Sequence, residues 1–423
     1  MEKIAIIGSG ISGLTAAYHL NPTADITVFE KNDYIGGHTA TKMINLQGIE
    51  YAVDTGFIVF NDRTYPRFTA LLDATGVKSK DTTMGFSVSC PERSFEYAGT
   101  NFNTLFAQRK NLFSPRFYGM LKDIARFNNL AQKHYSSGLL DPEMSLDDYL
   151  LENRFGELFK KNYIYPMASA IWSASIDNVR QFNALFFIRF FVNHGLLSIS
   201  DRPQWKVIQG GSKSYIPALT RGFEDKIKLN SHITGIRRFA HGVELHFENS
   251  SQMFDHVVFA CHSDQALSLL KDPSKEEIDI LKSIPYQDNT VTLHTDSSLL
   301  PDRKLAWSSW NYRLGESDDE LPLLTYNMNM LQGLDSPETI CVTVNGSNQI
   351  ERSKIISEYT YAHPVFGASS VAAQNSWQQI NGQHRTWFCG AYWGNGFHED
   401  GVVSAERVAG EIKAQQVEQR FAA

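Results

Sequence analysis

The sequence predicts an α/β protein in which a Rossmann-like, dinucleotide-binding domain is interleaved with a second domain of α+β structure. Three observations predict this class: a buried apolar strand that runs into a glycine-rich turn, a helix and second strand that follow the turn, and a return of short apolar strands after residue 227. At 423 residues the chain has room for about two or three domains, each with its own core.

The opening strand covers Lys3 to Ile7, and the turn that follows reads Gly-Ser-Gly-Ile-Ser-Gly. Glycines at these positions let the chain turn tightly, let the backbone approach a pyrophosphate, and let the next helix pack closely on the strand. That helix is expected from about Ser12 to Leu20, with its N-terminus facing the phosphates. The predicted cofactor contacts in this segment are Gly8, Ser9, Gly10, Ser12 and Gly13.

A second strand, Ile26 to Phe29, ends in Glu30, 17 residues after Gly13. An acidic side chain near this position accepts hydrogen bonds from the ribose of a bound dinucleotide. A glycine triplet alone could be a structural turn. The order of strand, helix, strand and terminal Glu30 therefore favours a dinucleotide site.

Three further segments extend this pattern. A second glycine pair, Gly36-Gly37, follows shortly after Glu30. An NAD-binding fold does not need such a pair. The segment Val53 to Phe57 contains an acidic residue and a glycine, and could also be a plain β-turn. Near the C-terminus a strand ends in Gly390, and residues 398–405 read as a helix start with an acidic residue before Gly401.

Together these segments resemble the flavin amine oxidase and phytoene desaturase superfamily, in which Gly-Gly is usually followed by Arg. This chain has His38 at that position. The resemblance implies FAD as the cofactor, with a C-terminal helix whose positive dipole end favours the anionic reduced flavin. It implies, beyond the first turn, contacts from Glu30, Lys31, Gly36, Gly37, His38, Thr39, Thr55, Gly56, Phe57, Ile233, Gly390, Asp400, Gly401, Val402 and Ala405.

Segments such as Gln204-Trp205-Lys206, residues 254–258 and residues 307–312 also resemble a bacterial subfamily associated with cyclopropane fatty-acid synthase-like proteins. That resemblance implies hydride transfer between flavin N5 and a fatty acyl chain, including methylated chains, in desaturation, saturation or isomerisation. Two alternatives stay open: an amine oxidase that produces imine and hydrogen peroxide, and a non-catalytic FAD-binding partner of a lipid-modifying enzyme.

Many amine oxidases of the superfamily carry a lysine near flavin N5 on a strand of the substrate domain. The comparable stretch here, residues 287–294, contains no lysine. His294 is a candidate for proton transfer if it faces the flavin, although a strand histidine can also be structural. Tyr392 and His398 are further candidates, because they lie between the two halves of the C-terminal motif, where they could line an apolar pocket or pack against the core.

The expected FAD-binding domain comprises residues 1–75, 203–265 and 381–423, and the substrate domain comprises residues 76–202 and 266–380. Within the first domain, residues 254–259 are expected to form one apolar strand. Within the second, the phenylalanines of residues 182–191 would cover most of a helix and must be buried, either as core or as the lining of an acyl tunnel.

The composition excludes several classes of function. A net charge of −7 gives no attraction for nucleic acid, and four scattered cysteines without a C-x-x-C pair predict neither a metal site nor disulfides. The most apolar stretch, residues 182–199, is interrupted by polar residues, so no membrane span is predicted. We expect a cytoplasmic protein. The basic and aromatic segment Arg109 to Phe117 is either a solvated loop or a peripheral contact with the inner membrane face.

Overall fold

The described part of the chain contains five sheets. The computed structural model describes residues 1–141, 143–198, 202–315 and 317–422. Its strands are β1 (Lys3–Ile7), β2 (Asp25–Phe29), β3 (Thr41–Leu46), β4 (Ile49–Asp54), β5 (Val59–Phe60), β6 (Ser79–Thr82), β7 (Phe86–Cys90), β8 (Phe95–Ala98), β9 (Trp205–Ile208), β10 (Ile227–Lys228), β11 (Ile233–Phe239), β12 (Gly242–Phe247), β13 (Ser251–Phe254), β14 (His256–Phe259), β15 (Tyr286–His294), β16 (Trp310–Arg313), β17 (Leu323–Asn327), β18 (Cys341–Val344), β19 (Ile355–Pro364) and β20 (Thr386–Phe388).

Helices connect and cover these strands. They are α1 (Ile11–Leu20), α2 (Pro66–Thr75), α3 (Phe102–Leu105), α4 (Pro115–Ser136), α5 (Leu146–Glu152), α6 (Glu157–Phe159), α7 (Tyr165–Trp172), α8 (Ile176–Arg180), α9 (Ala184–Asn193), α10 (Ile216–Thr220), α11 (Ser263–Leu269), α12 (Lys275–Lys282), α13 (Met328–Leu331), α14 (Ala368–Asn375), α15 (Trp377–Ile380) and α16 (His398–Ala422).

A five-stranded parallel sheet, in the order β10-β2-β1-β14-β20, forms the first domain. Its central strands β1 and β14 are almost entirely buried, as parallel strands covered by helices on both faces should be. The predicted Rossmann-like architecture is confirmed. The opening strand has the predicted bounds, while α1 and β2 each begin one residue earlier than expected.

The segment predicted as one strand over residues 254–259 forms two strands. Phe254 ends β13, which pairs antiparallel with β12, whereas His256 begins β14, which pairs parallel with β1. Asp255 separates them, because its backbone N–H donates to the Lys3 carbonyl (2.8 Å) and its Oδ2 accepts from the Lys3 N–H (2.7 Å). The prediction of one strand was therefore wrong, since apolar residues on both sides concealed the change of partner.

The strand order reverses between β1 and β14. The chain runs from β1 to β2 on one side and returns later through β14 on the other, so the carboxyl ends of β1 and β14 border a crevice. Ligands of open parallel sheets bind at such a point. The two ends are close, because a Cβ on Gly8 would lie 2.9 Å from the Ala260 carbonyl oxygen.

A seven-stranded sheet, in the order β19-β15-β18-β17-β16-β7-β8, forms the core of the second domain together with the helices between α4 and α9. Helix α9 contributes the most aromatic part of this core. Phe186, Phe187, Phe190 and Phe191 are each at most 3% exposed, which confirms that this helix is buried. Within the described residues, no helix combines the length and apolar character of a membrane span, and Ile199 of the apolar stretch lies outside them.

Part of the segment assigned to the substrate domain packs on the first domain instead. Ile280 and Leu281 of α12 share a core with Ala5 and Phe259, and Trp377 of α15 packs with residues of β1 and α16. The predicted division placed all of residues 266–380 in the substrate domain. Sequence could not assign these helices, because an amphipathic pattern shows that a face is buried but not which sheet it covers.

Candidate functional site

The first glycine turn lies at the carboxyl end of β1, and its three glycines have three different surroundings. Gly8 has a φ of +106°, a conformation that favours glycine. A Cβ on Gly13 would lie 1.9 Å from the Gly8 carbonyl oxygen, so only glycine lets α1 pack this closely on the strand. A Cβ on Gly10 would meet no described heavy atom within 4 Å, which leaves the backbone open to a ligand.

The backbone at the start of α1 fits a pyrophosphate. Gly10 is the N-cap residue, no side chain caps the helix, and its first turn contains no acidic residue. Uncapped N–H groups and the positive end of the helix dipole are the features that bind phosphate oxygens. Ser9 and Ser12 are both buried within this turn.

Glu30 immediately follows β2, one residue past the strand end at Phe29, and lies beside the glycine turn. Its Oε2 accepts from the N–H (3.0 Å) and hydroxyl (2.7 Å) of Ser9, and its Oε1 accepts from the Asn32 N–H (2.9 Å). The carboxylate is 5% exposed and therefore has a fixed orientation. Its contact with a ribose stays a prediction.

The second glycine pair joins the first turn directly. The Gly36 N–H donates to the Ser9 carbonyl (3.1 Å), and a Cβ on Gly37 would lie 3.2 Å from the Gly10 Cα. Both glycines have positive φ values, +121° and +57°. The two motifs thus form one continuous backbone surface, which the resemblance implied but the spacing alone could not establish.

Lys31 and Ile233 lie at the outer end of this surface. The segment before Ile233 pairs with the end of β2, since the Ser231 N–H donates to the Glu30 carbonyl (2.8 Å). Ile233 is half-buried at the start of β11, whereas the Lys31 side chain is exposed to solvent. A cofactor contact from Lys31 would therefore need its backbone or a reorientation of its side chain.

The segment from Thr55 to Phe57 packs against the second glycine pair. The Phe57 N–H donates to the His38 carbonyl (2.9 Å), and a Cβ on Gly56 would lie 2.2 Å from the same oxygen. The Thr55 hydroxyl donates to the Ala40 carbonyl (3.1 Å). Gly56 is therefore required for close packing of two loops, and this role accounts for the glycine without a ligand.

The C-terminal motif meets the N-terminal turn. A Cβ on Gly401 of α16 would lie 2.8 Å from both Ile11 Cγ2 and Ser12 Oγ of α1, so the two helix N-termini are in direct contact. The Gly390 N–H donates to the Ser404 hydroxyl (3.1 Å), which joins the end of β20 to the same helix. Val402 and Ala405 are fully buried in the core beneath α1. The two ends of the polypeptide thus converge at one place.

Asp400 serves the start of α16. Its Oδ2 accepts from the Phe397 N–H (2.9 Å), and burial, partly offset by this bond, raises its pKa to about 6. A Cβ on Gly394 would lie 2.1 Å from Asp400 Oδ1, so the loop packs tightly on the carboxyl group. In the described contacts, the Asp400 side chain bonds to the backbone at the start of α16 and not to the glycine turn.

His398 lies in a buried polar network. Its Nε2 is 3.1 Å from Thr39 Oγ1 and 3.4 Å from the Tyr215 hydroxyl, and these two oxygens are 2.5 Å apart. The imidazole stacks on Phe57 with 3.6 Å between ring centroids. Burial, followed by the neighbouring His38, lowers the pKa of His398 well below its ordinary value. The ring is therefore neutral at physiological pH.

The other two catalytic candidates have structural surroundings. His294 accepts from the Asp296 N–H through Nδ1 (3.1 Å), and its Nε2 is 2.7 Å from the Thr343 hydroxyl. It ends β15, the nine-residue strand whose first residue, Tyr286, contacts the first domain, so about 27 Å of strand separates the two. Tyr392 is 3% exposed and packs in the core under β20.

Sequence reasoning missed a cluster of histidines next to the second glycine pair. The ring of His38 lies 5.9 Å from that of His262 and 5.7 Å from that of His363, centroid to centroid. His262 follows β14 at the crevice between β1 and β14, so the position of that strand end was an available signal. His363 lies near the end of β19, and no local pattern marks it.

Asp54 is a second residue that sequence reasoning left unassigned. Its carboxylate accepts hydrogen bonds from Thr41, from the N–H and hydroxyl of Ser212, and from Gln332. Burial, partly offset by these bonds, raises its pKa to about 6. Asp54 therefore ties the two-stranded sheet of β3 and β4 to two distant segments of the chain.

Several buried polar atoms near the site have no hydrogen-bond partner among the described residues. They include Nε2 of His38, the hydroxyl of Tyr392, Nε1 of Trp393 and Oδ1 of Asn395. An unpaired buried polar atom costs about 1–3 kcal/mol, so such atoms commonly face a ligand or an ordered water. With the open Gly10 and the uncapped helix α1, these features fit a bound dinucleotide.

Comparisons with known proteins agree with this geometry. The family model described as flavin containing amine oxidoreductase matches residues 11–343. An L-amino-acid oxidase of Siganus canaliculatus is 22% identical over 357 residues, covering 76% of this chain and 60% of that protein. Human prenylcysteine oxidase 1 is 24% identical, covering 65% of this chain and 60% of that protein. The chain thus spans about three fifths of the length of these relatives.

Solved structures share the fold over nearly the whole chain. A fatty acid isomerase from P. acnes superposes with a TM-score of 0.70 and 16% identity, covering 98% of both chains. Cyclohexylamine oxidase from Brevibacterium oxydans superposes with a TM-score of 0.68 and 16% identity, covering 99% of both chains. At this identity the likeness establishes the two-domain fold and leaves the substrate open.

Proposed function

The chain belongs to the flavin-containing amine oxidoreductase family, and on this basis we propose that it is an FAD-dependent oxidoreductase whose substrate is an apolar fatty acyl chain, desaturated, saturated or isomerised at a carbon-carbon bond. Bound FAD supplies the two-electron chemistry, as hydride transfer. The glycine turn and the start of α1 would hold its pyrophosphate, Glu30 its ribose, and the start of α16 its ring.

The observation that carries the substrate proposal is an aromatic cluster beside the start of α16. Phe397, immediately before that helix, stacks on Phe190 of α9 with 5.3 Å between centroids. Phe186 stacks on Phe366 at 5.2 Å, and Trp172 lies 4.7 Å from Phe190. These buried and half-buried rings make the surroundings of the start of α16 apolar, and apolar surroundings suit a hydrocarbon substrate.

The strand that carries a lysine in many related amine oxidases supports the same choice. Strand β15 has no lysine, and its residues on the side of the helical core are Asn289, Val291 and Leu293. The fatty acid isomerase and the cyclohexylamine oxidase have this fold equally, so the fold does not decide between acyl and amine substrates. The aromatic cluster and the strand residues favour the acyl chain.

The test is anaerobic mixing of the FAD-loaded protein with fatty acyl lipids and, separately, with a panel of amines. An acyl substrate is expected to change the visible flavin spectrum, or to be isomerised with no net change in the flavin, which gas chromatography and proton NMR of the recovered lipid would detect. Bleaching by an amine, with hydrogen peroxide formed after air is admitted, would overturn the proposal in favour of amine oxidation. A partnership with a lipid-modifying enzyme stays a prediction.

We further propose that the segment from Phe102 to Phe113 contacts an anionic bilayer, from which an acyl substrate would be taken. Phe102 is 70% exposed and Phe113 is 87% exposed. Residues 97–122 contain four basic and no acidic side chains, in a chain whose net charge is −7. The Arg109 guanidinium donates to the Asn103 side chain (2.6 Å) and to the Phe106 carbonyl (2.9 Å), so the loop is fixed with both phenylalanines outward. Basic and aromatic residues together favour such a surface.

Vesicle sedimentation tests this contact with vesicles of pure phosphatidylcholine and with added phosphatidylglycerol. Binding only to the anionic vesicles is expected, with at least a tenfold loss in the double variant Phe102→Ser, Phe113→Ser, because each buried phenylalanine contributes roughly 1.5–3 kcal/mol. Phe421→Ser is the matched control, since that residue is 88% exposed at the other end of the chain. Equal binding by all three proteins, or none by the wild type, would contradict the proposal.

A further inference from the structure

The histidine cluster at the junction of the two domains has a defined hydrogen-bonding pattern. His38 belongs to the second glycine loop, His262 follows β14, and His363 belongs to β19 of the substrate sheet. His262 stacks on Tyr286 with 4.3 Å between centroids and 9° between planes. Of the described residues, no group of three or more metal-ligating side chains has a metal-binding arrangement.

A relay of two asparagines fixes the tautomer of His363. The Thr290 backbone N–H donates to Asn345 Oδ1 (3.1 Å), and a backbone N–H can only donate, so the amide orientation of Asn345 is determined. Asn345 Nδ2 then donates to Asn289 Oδ1 (2.8 Å), which leaves Asn289 Nδ2 to donate to His363 Nδ1 (3.2 Å). His363 must therefore accept at Nδ1 and carry its proton on Nε2.

Nε2 of His38 is buried without a partner among the described residues. The Ala362 backbone, which partly offsets the lowering of this ring's pKa by burial, is the group nearest in effect to the other ring nitrogen, so we assign the ring proton to Nδ1 and an acceptor role to Nε2. His363 thus offers a donor and His38 an acceptor on rings 5.7 Å apart.

Both rings are uncharged at physiological pH. Burial lowers the pKa of His363 to about 3, with further lowering by His38 and His262, and burial also lowers the pKa of His38. The positive charge of Lys31 lowers the pKa of the third ring, His262, after the larger effects of burial and His38. The superfamily that this chain resembles usually has an arginine at the position of His38, so a neutral acceptor replaces a cation there.

We infer that His363 and His38 form an uncharged donor and acceptor pair that binds a polar edge of the cofactor ring, with Asn289 and Asn345 as positioning residues. The inference rests on the proposed FAD site, whose crevice lies beside both rings. The flavin ring system carries adjacent carbonyl and N–H groups, which match one donor and one acceptor. A neutral pair stabilises negative charge less than an arginine does, so it favours a lower reduction potential.

Ring nitrogen NMR of the 15N-histidine-labelled protein tests the tautomers directly, with and without FAD. His363 is expected as the Nε2–H form, neutral down to pH 5, and His38 as the Nδ1–H form. Asn289→Asp should move the proton of His363 to Nδ1 and raise its pKa, because a carboxylate accepts from Nδ1–H. Asn311→Asp is the matched control, since Asn311 is a buried asparagine of the same sheet whose partners are Ser87, Ser308 and Thr325.

Two substitutions of His363 test the donor and do not require Asn289→Asp to fold. His363→Gln keeps a neutral donor and should bind FAD within threefold of the wild type. His363→Phe should bind FAD about tenfold more weakly, the equivalent of one hydrogen bond of roughly 1.4 kcal/mol. Equal FAD affinity and reduction potential in both variants, or a wild-type His363 protonated on Nδ1, would overturn the inference. Protein that binds no FAD yet shows the expected tautomers would instead refute the proposed function.

Discussion

The glycine-rich end of the first domain and the β15–β19 end of the substrate sheet both border the site, but the sequence specifies them differently. In the first, Gly8, Gly10 and Gly13 meet three separate backbone demands within six residues. In the second, Asn289 orients His363 across 74 residues of chain. Local backbone geometry can therefore be predicted from sequence, whereas a side-chain relay between strands can be identified only when the pairing of the strands is known.

The largest effect is expected at the glycine turn, where two neighbouring glycines should fail in different ways. Gly10→Val should fold normally and retain no FAD, because its side chain would occupy the open backbone surface. Gly13→Val should lose stability instead, because its Cβ would lie 1.9 Å from the Gly8 carbonyl oxygen. Flavin absorbance and urea unfolding of both variants measure this difference. A yellow Gly10→Val protein would show that the turn does not contact the cofactor.

A substitution in the core of the substrate domain should lower stability as strongly as Gly13→Val does, but it should leave flavin binding almost unchanged. Phe190→Ala removes a ring that is 3% exposed, and the expected loss is about 3–5 kcal/mol of unfolding free energy. FAD affinity should change less than threefold, because the described ring contact between Phe190 and the start of α16 is made through Phe397. Denaturant unfolding and FAD titration measure the two quantities. A variant that loses FAD without losing stability would place Phe190 at the cofactor itself.

Asp54 should give the junction a pH-dependent stability. Burial raises its pKa from 3.8 to about 6, so the folded chain binds this proton more tightly than the unfolded chain does. The stabilisation is complete below pH 4 and is lost as the pH rises through 6, a change of about 3 kcal/mol. Unfolding free energies of wild type and Asp54→Asn from pH 4 to pH 7 measure it. The difference between the two proteins should follow this curve, and a constant difference would exclude the carboxyl group as its source.

The smallest effect is expected at His294, one of the three catalytic candidates named from the sequence. His294→Gln should alter flavin reduction by less than twofold, because both ring nitrogens bond within the sheet. Its cost in stability should be about 1 kcal/mol per lost hydrogen bond. Anaerobic flavin reduction of this variant beside His363→Phe gives the comparison. A larger effect at His294 than at His363 would reverse the assignment of the two residues.

The residues that could be predicted are those with a local physical demand. Gly36 and Gly37 have positive φ, and Glu30 follows a strand beside the glycine turn. His294 was a candidate because it lies in the stretch comparable to the lysine strand of the superfamily, but sequence does not show which end of β15 faces the first domain. His363 has no local signal in the sequence. Its role depends on its pairing with Gln287 of β15 and on Asn345, which follows β18.

The convergence of both chain ends on one cofactor is tested most directly by counting the FAD released from purified protein. After incubation with excess FAD and removal of the unbound fraction, denaturation and absorbance give the number of flavins per chain. One FAD per wild-type chain, and none per folded Gly10→Val chain, are the predicted values. A folded wild-type protein that retains no FAD would contradict the account.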